Sequence, residues 1–141
     1  MNINNIINKT LDFTVKRIAE LTGTLLIILS ILLLISLISY SPEDPNFIFP
    51  DNTEIRNILG FRGSFVSDLF FQSIGLVSVL VSITIFFTGI NLFRIKKFLL
   101  IVENLFYTVL YSILGSLFFS TFYPDAFWLI NNGNGGFIGK F

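Results

Sequence analysis

The sequence has 141 residues, of which 53% are hydrophobic and 13% are charged, with no net charge and a mean hydropathy of +0.80. A soluble domain carries about twice this share of charged residues, and so short a chain could not bury this much apolar surface in water. The composition therefore indicates a membrane protein. The lack of Cys and His excludes disulfides, thiol chemistry and Cys/His metal sites. The sequence contains no long basic block, which argues against direct contact with nucleic acid.

The first apolar run extends from Leu21 to Tyr40 without a charged residue, which predicts a transmembrane helix over 21–40. Residues 1–20 are predicted to form an N-terminal tail, whose Asn-rich start MNINNIINK is too polar to insert and is expected to be frayed or to lie at the membrane interface. A signal peptide could also begin with basic residues, but this run is too long for its apolar core and no small-x-small cleavage site follows. A retained helix is the favoured interpretation.

Two further apolar runs predict transmembrane helices over about 65–93 and 98–123. The connecting loop 94–97 is so short that the two helices must form an antiparallel hairpin. The last segment, 124–141, is rich in glycine, and a fourth span could begin after residue 135. The fold class expected is therefore an all-α integral membrane domain over 21–141.

The distribution of Lys and Arg predicts the orientation of these spans. The tail 1–20 and the short loop 94–97 are the most basic segments, whereas the loop 41–64 and the tail 124–141 hold fewer cations for their length. The N-terminus and loop 94–97 are therefore predicted to be cytoplasmic, with 41–64 and 124–141 outside. This orientation places Tyr40, Tyr123 and Trp128 at the outer interface, where amphipathic rings are favoured.

The stretch YSPEDPNF, residues 40–47, ends the first apolar run in a rigid acidic turn. Pro42 and Pro45 cannot continue a helix, and Glu43 and Asp44 are costly to place in hydrocarbon. The two carboxylates also suggest a Ca²⁺ site. Such a site takes about six oxygen ligands, of which this stretch supplies roughly half, so a turn without metal is favoured.

The rest of the loop predicts its own local structure. A short helix over about 53–59 is expected to end at Gly60, a residue typical of helix C-termini. Ser64 is expected to cap the second transmembrane helix, and Asp68 to complement the positive end of that helix.

Taken in order, these elements resemble the membrane-embedded N-terminal domain of the FtsK/SpoIIIE family of DNA translocases. The resemblance covers about residues 21 to 141. It rests on five elements: an aromatic-x-Pro-x-Asp-Pro element, an Asn-x-x-Gly-x-x-Gly element, an Asp-Leu that opens the second span, a glycine within that span and a final Gly-Gly-x-x-Gly element. The matching residues are Tyr40, Pro42, Asp44, Pro45, Asn57, Gly60, Gly63, Asp68, Gly75, Gly135, Gly136 and Gly139. One departure is Asn46-Phe47, where the family more often has a small hydroxyl residue and Trp.

The resemblance implies a membrane anchor for a cytoplasmic, ATP-driven DNA pump at the division septum of the bacterial inner membrane. It implies contacts with lipid and with other division proteins, while association of several copies into a homo-oligomer is left open. The fourth helix and the motor lie outside these 141 residues, so no enzyme activity, ATP site or Mg²⁺ site is expected here. The alternative is a small self-contained membrane protein unrelated to DNA, such as a transporter subunit, a pore former or a scaffold.

The C-terminal segment GNGGFIGKF resembles a phosphate-binding loop only superficially. In G-x-x-x-x-G-K-[ST], Asn134 would occupy the first glycine position and Phe141 the hydroxyl position. The glycines are better explained by close approach of the backbone to neighbouring helices.

Polar and small residues inside the spans leave two questions open. Glu103 could line a proton or ion path, although a position near the cytoplasmic end, in reach of headgroups or of Lys96 and Lys97, is favoured. Small residues recur four apart on the second and third spans, which lets helices approach closely either within one chain or between chains. They are Ser78, Ser82, Ser112, Ser116 and Ser120.

Overall fold

The computed structural model describes residues 3–45, 54–125, 129 and 133–140. All of the regular secondary structure within these residues is helical. The helices are α1 (Ile3–Ile38), α2 (Gly60–Ile74), α3 (Val77–Ile95), α4 (Leu99–Phe122) and the short α5 (Gly136–Gly139). The expected all-α class is confirmed. Asn46, Phe47 and Trp128 lie outside the described residues.

Three helices are long and apolar enough to cross a membrane, within Ile7–Ile38, Val77–Ile95 and Leu99–Phe122. This confirms three candidate spans. The prediction of one continuous helix over 65–93 was wrong, because the chain breaks between α2 and α3. Gly75 has φ +61° and ψ −142°, a backbone conformation that is open to glycine and that ends α2, and the Leu76 N–H bonds to the Asn134 carbonyl at 2.9 Å.

Residues 1–20 were expected to form a tail separate from the first span. The chain is instead helical from Ile3 onward and continues into the first span without interruption. At 1.5 Å per residue, the 36 residues of α1 measure about 54 Å, against about 30 Å for the hydrocarbon core of a bilayer. α1 is therefore longer than the membrane requires.

α1 and α3 form the most extensive helix pair, and they run antiparallel. Gly23 and Gly89 bring the two backbones together, because a Cβ atom added to either glycine would lie 2.8 Å from the carbonyl oxygen of the other. At one end of the bundle Lys96, which ends α3 with φ +61°, pairs with Glu20 at 2.5 Å. We call this the turn end, because the short connection 94–97 lies here. The opposite end, where residues 41–45 and 54–59 lie, is the loop end.

α2 connects α1 with α4 at the loop end. Its first turn contacts α1, where the Ser36 hydroxyl donates to the Gly63 carbonyl at 2.6 Å, and its last residue contacts α4, where Ser116 donates to the Ile74 carbonyl at 3.1 Å. The small core beneath α2 contains Leu37, Phe71 and Leu129. α2 thereby holds the ends of two spans at a fixed separation.

The small-residue faces are used inside the chain. Ser78, Ser82, Ser112 and Ser116 are all buried in the isolated chain. Polar pairs also join α3 to α4, with the Thr84 and Tyr111 hydroxyls 2.8 Å apart and the Asn104 amide donating to Thr88 at 2.8 Å. These serines therefore pack helices of one subunit against each other.

The local structure predicted for the second half of the loop was wrong. Residues 54–59 are not helical, and Gly60 begins a helix instead of ending one. Ser64 is consequently the fifth residue of α2, not its cap, and Asp68 lies about two turns inside the helix, beyond the reach of its positive end. Thr53 lies outside the described residues.

Candidate functional site at the loop end

Asp44 closes the loop at the end of α1. Its two carboxylate oxygens accept hydrogen bonds from the backbone N–H groups of Arg56 and Asn57, at 2.8 and 2.9 Å, and the side chain is 6% exposed. A carboxylate that accepts from backbone N–H groups makes strong, charge-assisted hydrogen bonds. Asp44 therefore joins two segments twelve residues apart along the chain.

Asn57 extends this connection to the helices. Its amide donates to the Ser36 carbonyl at 2.9 Å and approaches the Ser67 hydroxyl at 3.5 Å, while its Oδ1 accepts from the Leu59 N–H at 3.1 Å. Gly63 is required beside it, since a Cβ there would lie 2.2 Å from Asn57 Oδ1. The buried amide thus ties the loop to both α1 and α2.

Serine hydroxyls make further hydrogen bonds between the loop and the two helices. Ser64 donates to the Pro45 carbonyl at 3.1 Å, and Ser39 accepts from the Ile58 N–H at 3.2 Å. We call the group of Ser36, Ser39, Asp44, Asn57 and Ser64 the loop clasp. Each member bonds to the backbone of a segment distant in sequence, so the clasp fixes the path of the chain.

Tyr40 and Asp68 form a second link between α1 and α2. The Tyr40 hydroxyl donates to Asp68 at 3.3 Å, Gln72 donates to both Asp68 oxygens at 2.9 Å, and the Tyr40 ring lies 4.9 Å from that of Phe71. Burial and the nearby Asp68 carboxylate raise the pKa of Tyr40. The phenol therefore stays protonated and remains a donor across the physiological range.

The outer surface of this loop is open to solvent. Pro42 and Glu43 are exposed, and Glu43 pairs with Arg56 at 2.8 Å. Together with Tyr40 and Ile58 they line a shallow groove of about 540 Å³. Rigid backbone beneath and exposed charge above make this groove the candidate contact surface.

The remaining motif glycines meet at the break between α2 and α3. A Cβ on Gly75 would lie 2.0 Å from the Asn134 carbonyl oxygen, and one on Gly136 would lie 2.5 Å from the Gly75 nitrogen. Gly135 and Gly139 approach the Ser116 carbonyl, where an added Cβ would lie 2.3 and 2.5 Å away. We call these four glycines with Ser116 and Asn134 the glycine junction.

Asn134 positions the C-terminal segment in the junction. Its amide donates to the carbonyls of Tyr123 and Asp125, at 2.9 and 3.1 Å, and its own carbonyl accepts from Leu76. The segment therefore returns to the bundle immediately after α4 ends, and the glycines serve close backbone approach.

Glu103 belongs to neither the loop clasp nor the glycine junction. Glu103 is exposed as the fifth residue of α4 and forms no ion pair within the described part of the chain. Lys96, one of its two expected neighbours, pairs with Glu20 instead.

Sequence reasoning missed several residues that the structure uses. Ser36, Ser39, Asn134 and Gly23 had no recognised role, although a serine near a helix end and an asparagine between glycines are signals for side-chain contacts to backbone.

We expect Asp44→Asn to destabilise the protein by about 1–3 kcal/mol, because an amide can replace only one of the two acceptor oxygens and leaves a buried N–H unsatisfied. The measurement is thermal unfolding in detergent, compared with Glu43→Gln, whose exposed side chain should matter little. EDTA or Ca²⁺ should shift neither transition. A metal-dependent shift of the unmutated protein, lost in Asp44→Asn, would instead make this turn a cation site.

Gly75 and Gly60 provide a matched pair, since both have positive φ but only Gly75 is crowded. Alanine at either position costs about 1–3 kcal/mol, because a residue with a Cβ atom is strained at positive φ. At Gly75 the contact with Asn134 adds at least about 1–3 kcal/mol by overpacking. Gly75→Ala should therefore unfold at a clearly lower temperature than Gly60→Ala, and equal transitions would contradict the junction.

The family model described as the 4TM region of DNA translocase FtsK/SpoIIIE matches residues 15–141. Curated relatives named DNA translocase FtsK include those of Rhizobium meliloti, 29% identical over 127 residues, and Bradyrhizobium diazoefficiens, 29% identical over 124 residues. These alignments cover 90% and 88% of this chain but only 14% and 15% of the relatives. No solved structure matches. The chain belongs to the 4TM family of the FtsK/SpoIIIE DNA translocases.

Proposed function

We propose that this chain is the membrane anchor of a DNA translocase, tethering a cytoplasmic DNA-pumping ATPase at the division septum. The observation that carries the proposal is the family match over residues 15–141, which includes the second and third candidate spans and most of the first. The relatives are named for DNA translocation, and this chain corresponds to about a seventh of their length. ATP and Mg²⁺ would act in a motor domain beyond this region.

The polar groups of the loop clasp support anchoring over chemistry. Asp44 and Asn57 are buried, and their side chains are occupied by backbone partners. A catalytic site needs polar groups that face a substrate. These groups hold the loop in one shape, as a recognition surface for other proteins requires.

The groove above the clasp is the surface we assign to division proteins. Pro42, Glu43, Arg56 and Ile58 present a rigid turn, both signs of charge and an apolar side chain that is 75% exposed. A small pre-shaped patch of this kind binds a partner without the entropic cost of ordering a loop.

The broken helix is the one feature that favours a transporter. Transporters place unwound backbone at a substrate site. Here the freed Leu76 N–H bonds to Asn134 and the Ile74 carbonyl accepts from Ser116, so protein groups fill the break. The anchor explains the break more simply.

The proposal is tested by fusing a fluorescent protein to the N-terminus and imaging dividing cells. The fusion should be enriched at the septum, and a fusion carrying Gly75→Ala should lose the enrichment because its junction cannot close. Uniform membrane fluorescence of the unmutated fusion would contradict septal anchoring. Glu43→Lys, which reverses a groove charge without touching the clasp, tests the contact surface, and it should weaken the enrichment while the protein still accumulates.

The orientation is tested with single cysteines at the two ends of the bundle. Ile58→Cys at the loop end should react with an impermeant maleimide in intact cells, whereas Ile95→Cys at the turn end should react only after the cells are opened. Both side chains are more than half exposed, so access through the fold does not limit either reaction. The reverse pattern would place the loop end in the cytoplasm and exclude it as the outer contact surface.

A further inference from the structure

A groove of about 340 Å³ lies in the corner between α1 and the start of α2. Its apolar walls consist of Leu29, Leu32 and Leu33 on α1, Val66 on α2 and Leu59 just before α2. The walls meet where the Ser36 hydroxyl donates to the Gly63 carbonyl at 2.6 Å. The concave shape, and not the exposure of α1, distinguishes this corner from a helix surface that simply contacts lipid.

The polar groups at the closed side of the groove are already paired. The Ser36 hydroxyl and the Gly63 carbonyl bond to each other, and the Ser36 carbonyl accepts from the Asn57 amide at 2.9 Å. A peptide segment or a polar small molecule would bring hydrogen-bonding groups that need partners in an apolar site. An alkyl chain needs none, so the lining of the groove fits an alkyl chain best.

The groove follows α1 from the loop end into the membrane. Leu29 lies nine residues before Ile38, where the first candidate span ends, which is about 14 Å along the helix axis. One leaflet of a hydrocarbon core of about 30 Å is about 15 Å thick. The groove therefore has the depth and the direction of an acyl chain in one leaflet.

Arg62 is the one charged side chain among the residues that line the groove. Because it directly precedes Gly63, it lies at the level of Ser36, two residues from the end of α1. Arg62 is exposed and forms no ion pair within the described part of the chain. A guanidinium binds a phosphate through two parallel N–H···O bonds, and here it lies where the headgroup of a lipid in the groove would be.

We propose that this groove binds an anionic phospholipid, with one acyl chain between α1 and α2 and the phosphate on Arg62. A lipid with net negative charge neutralises the unpaired guanidinium, whereas a zwitterionic lipid brings its own cation to the same level. The walls hold the chain and the arginine selects the headgroup. The site is independent of the septal role proposed above.

The test titrates the purified protein in nonionic detergent with dioleoyl phosphatidylglycerol or dioleoyl phosphatidylcholine and counts bound lipid by native mass spectrometry. The chains are identical, so a difference reports the headgroup. Phosphatidylglycerol should bind at least about five-fold more tightly, and Arg62→Gln should remove this preference. Arg62→Lys, which keeps the charge but loses the planar fork, should retain part of it. Arg94→Gln, which removes an exposed arginine at the turn end, should leave the preference unchanged.

Filling the groove provides the complementary arm. Leu29→Trp should weaken phosphatidylglycerol binding several-fold, whereas Leu110→Trp on α4 should not, although the two leucines are 50% and 47% exposed. Leu32→Trp replaces the first variant if it does not show a cooperative unfolding transition without lipid.

Three results would overturn the proposal. They are equal binding of the two lipids, an effect of Arg62→Gln no larger than that of Arg94→Gln, and binding of glycerol phosphate, which has no chains, as tight as that of the lipid. Loss of a bound polypeptide in Arg62→Gln and Leu29→Trp, with lipid binding unchanged, would instead make the groove a site for a protein helix. None of these results depends on septal localisation.

Discussion

The hydrogen bond from the Leu76 N–H to the Asn134 carbonyl is the contact on which the arrangement of the helices depends. The freed N–H group lies immediately before Val77, where the second candidate span begins, and lipid offers it no hydrogen-bond partner. Gly75 breaks the ladder between α2 and α3, and the C-terminal segment supplies the acceptor. The break, the four crowded glycines and the direction of α2 all follow from satisfying this one donor.

The loop clasp meets the same requirement at the end of α1. Asp44 and Asn57 bond to backbone groups of the loop and of α1, and Asn57 also approaches the Ser67 hydroxyl on α2, so an irregular stretch of chain is fixed without regular secondary structure. A buried polar group that keeps its partners costs little, whereas one that loses them costs about 1–3 kcal/mol. The open groove therefore has a rigid base, and its exposed side chains can vary without disturbing the bundle.

The sequence was sufficient to predict the class and the number of spans, because long apolar runs and prolines act locally. It was insufficient for the break at Gly75, since glycine is common in membrane helices and only the distant Asn134 shows why the helix stops there. The same holds for Gly60, which local preference assigns to a helix end but which begins α2. Ser36 was missed because its partners Asn57 and Gly63 are 21 and 27 residues away in the chain, and Asn134 because Leu76, which donates to its backbone carbonyl, lies much further away still. Glu103 attracted attention by its charge alone, and the structure gives it no contact with either group.

The glycine junction has a consequence for biosynthesis. The break between α2 and α3 is completed by residues 134–139, about sixty residues further along the chain. A ribosome adds roughly 5–20 residues per second, so α2 and α3 wait several seconds in the membrane with an unpaired donor at their joint. During that interval the insertion machinery, water or a neighbouring headgroup must occupy the place that Asn134 later takes. Membrane insertion and final folding are therefore separate events in this chain, and the second is set by when its last glycines emerge.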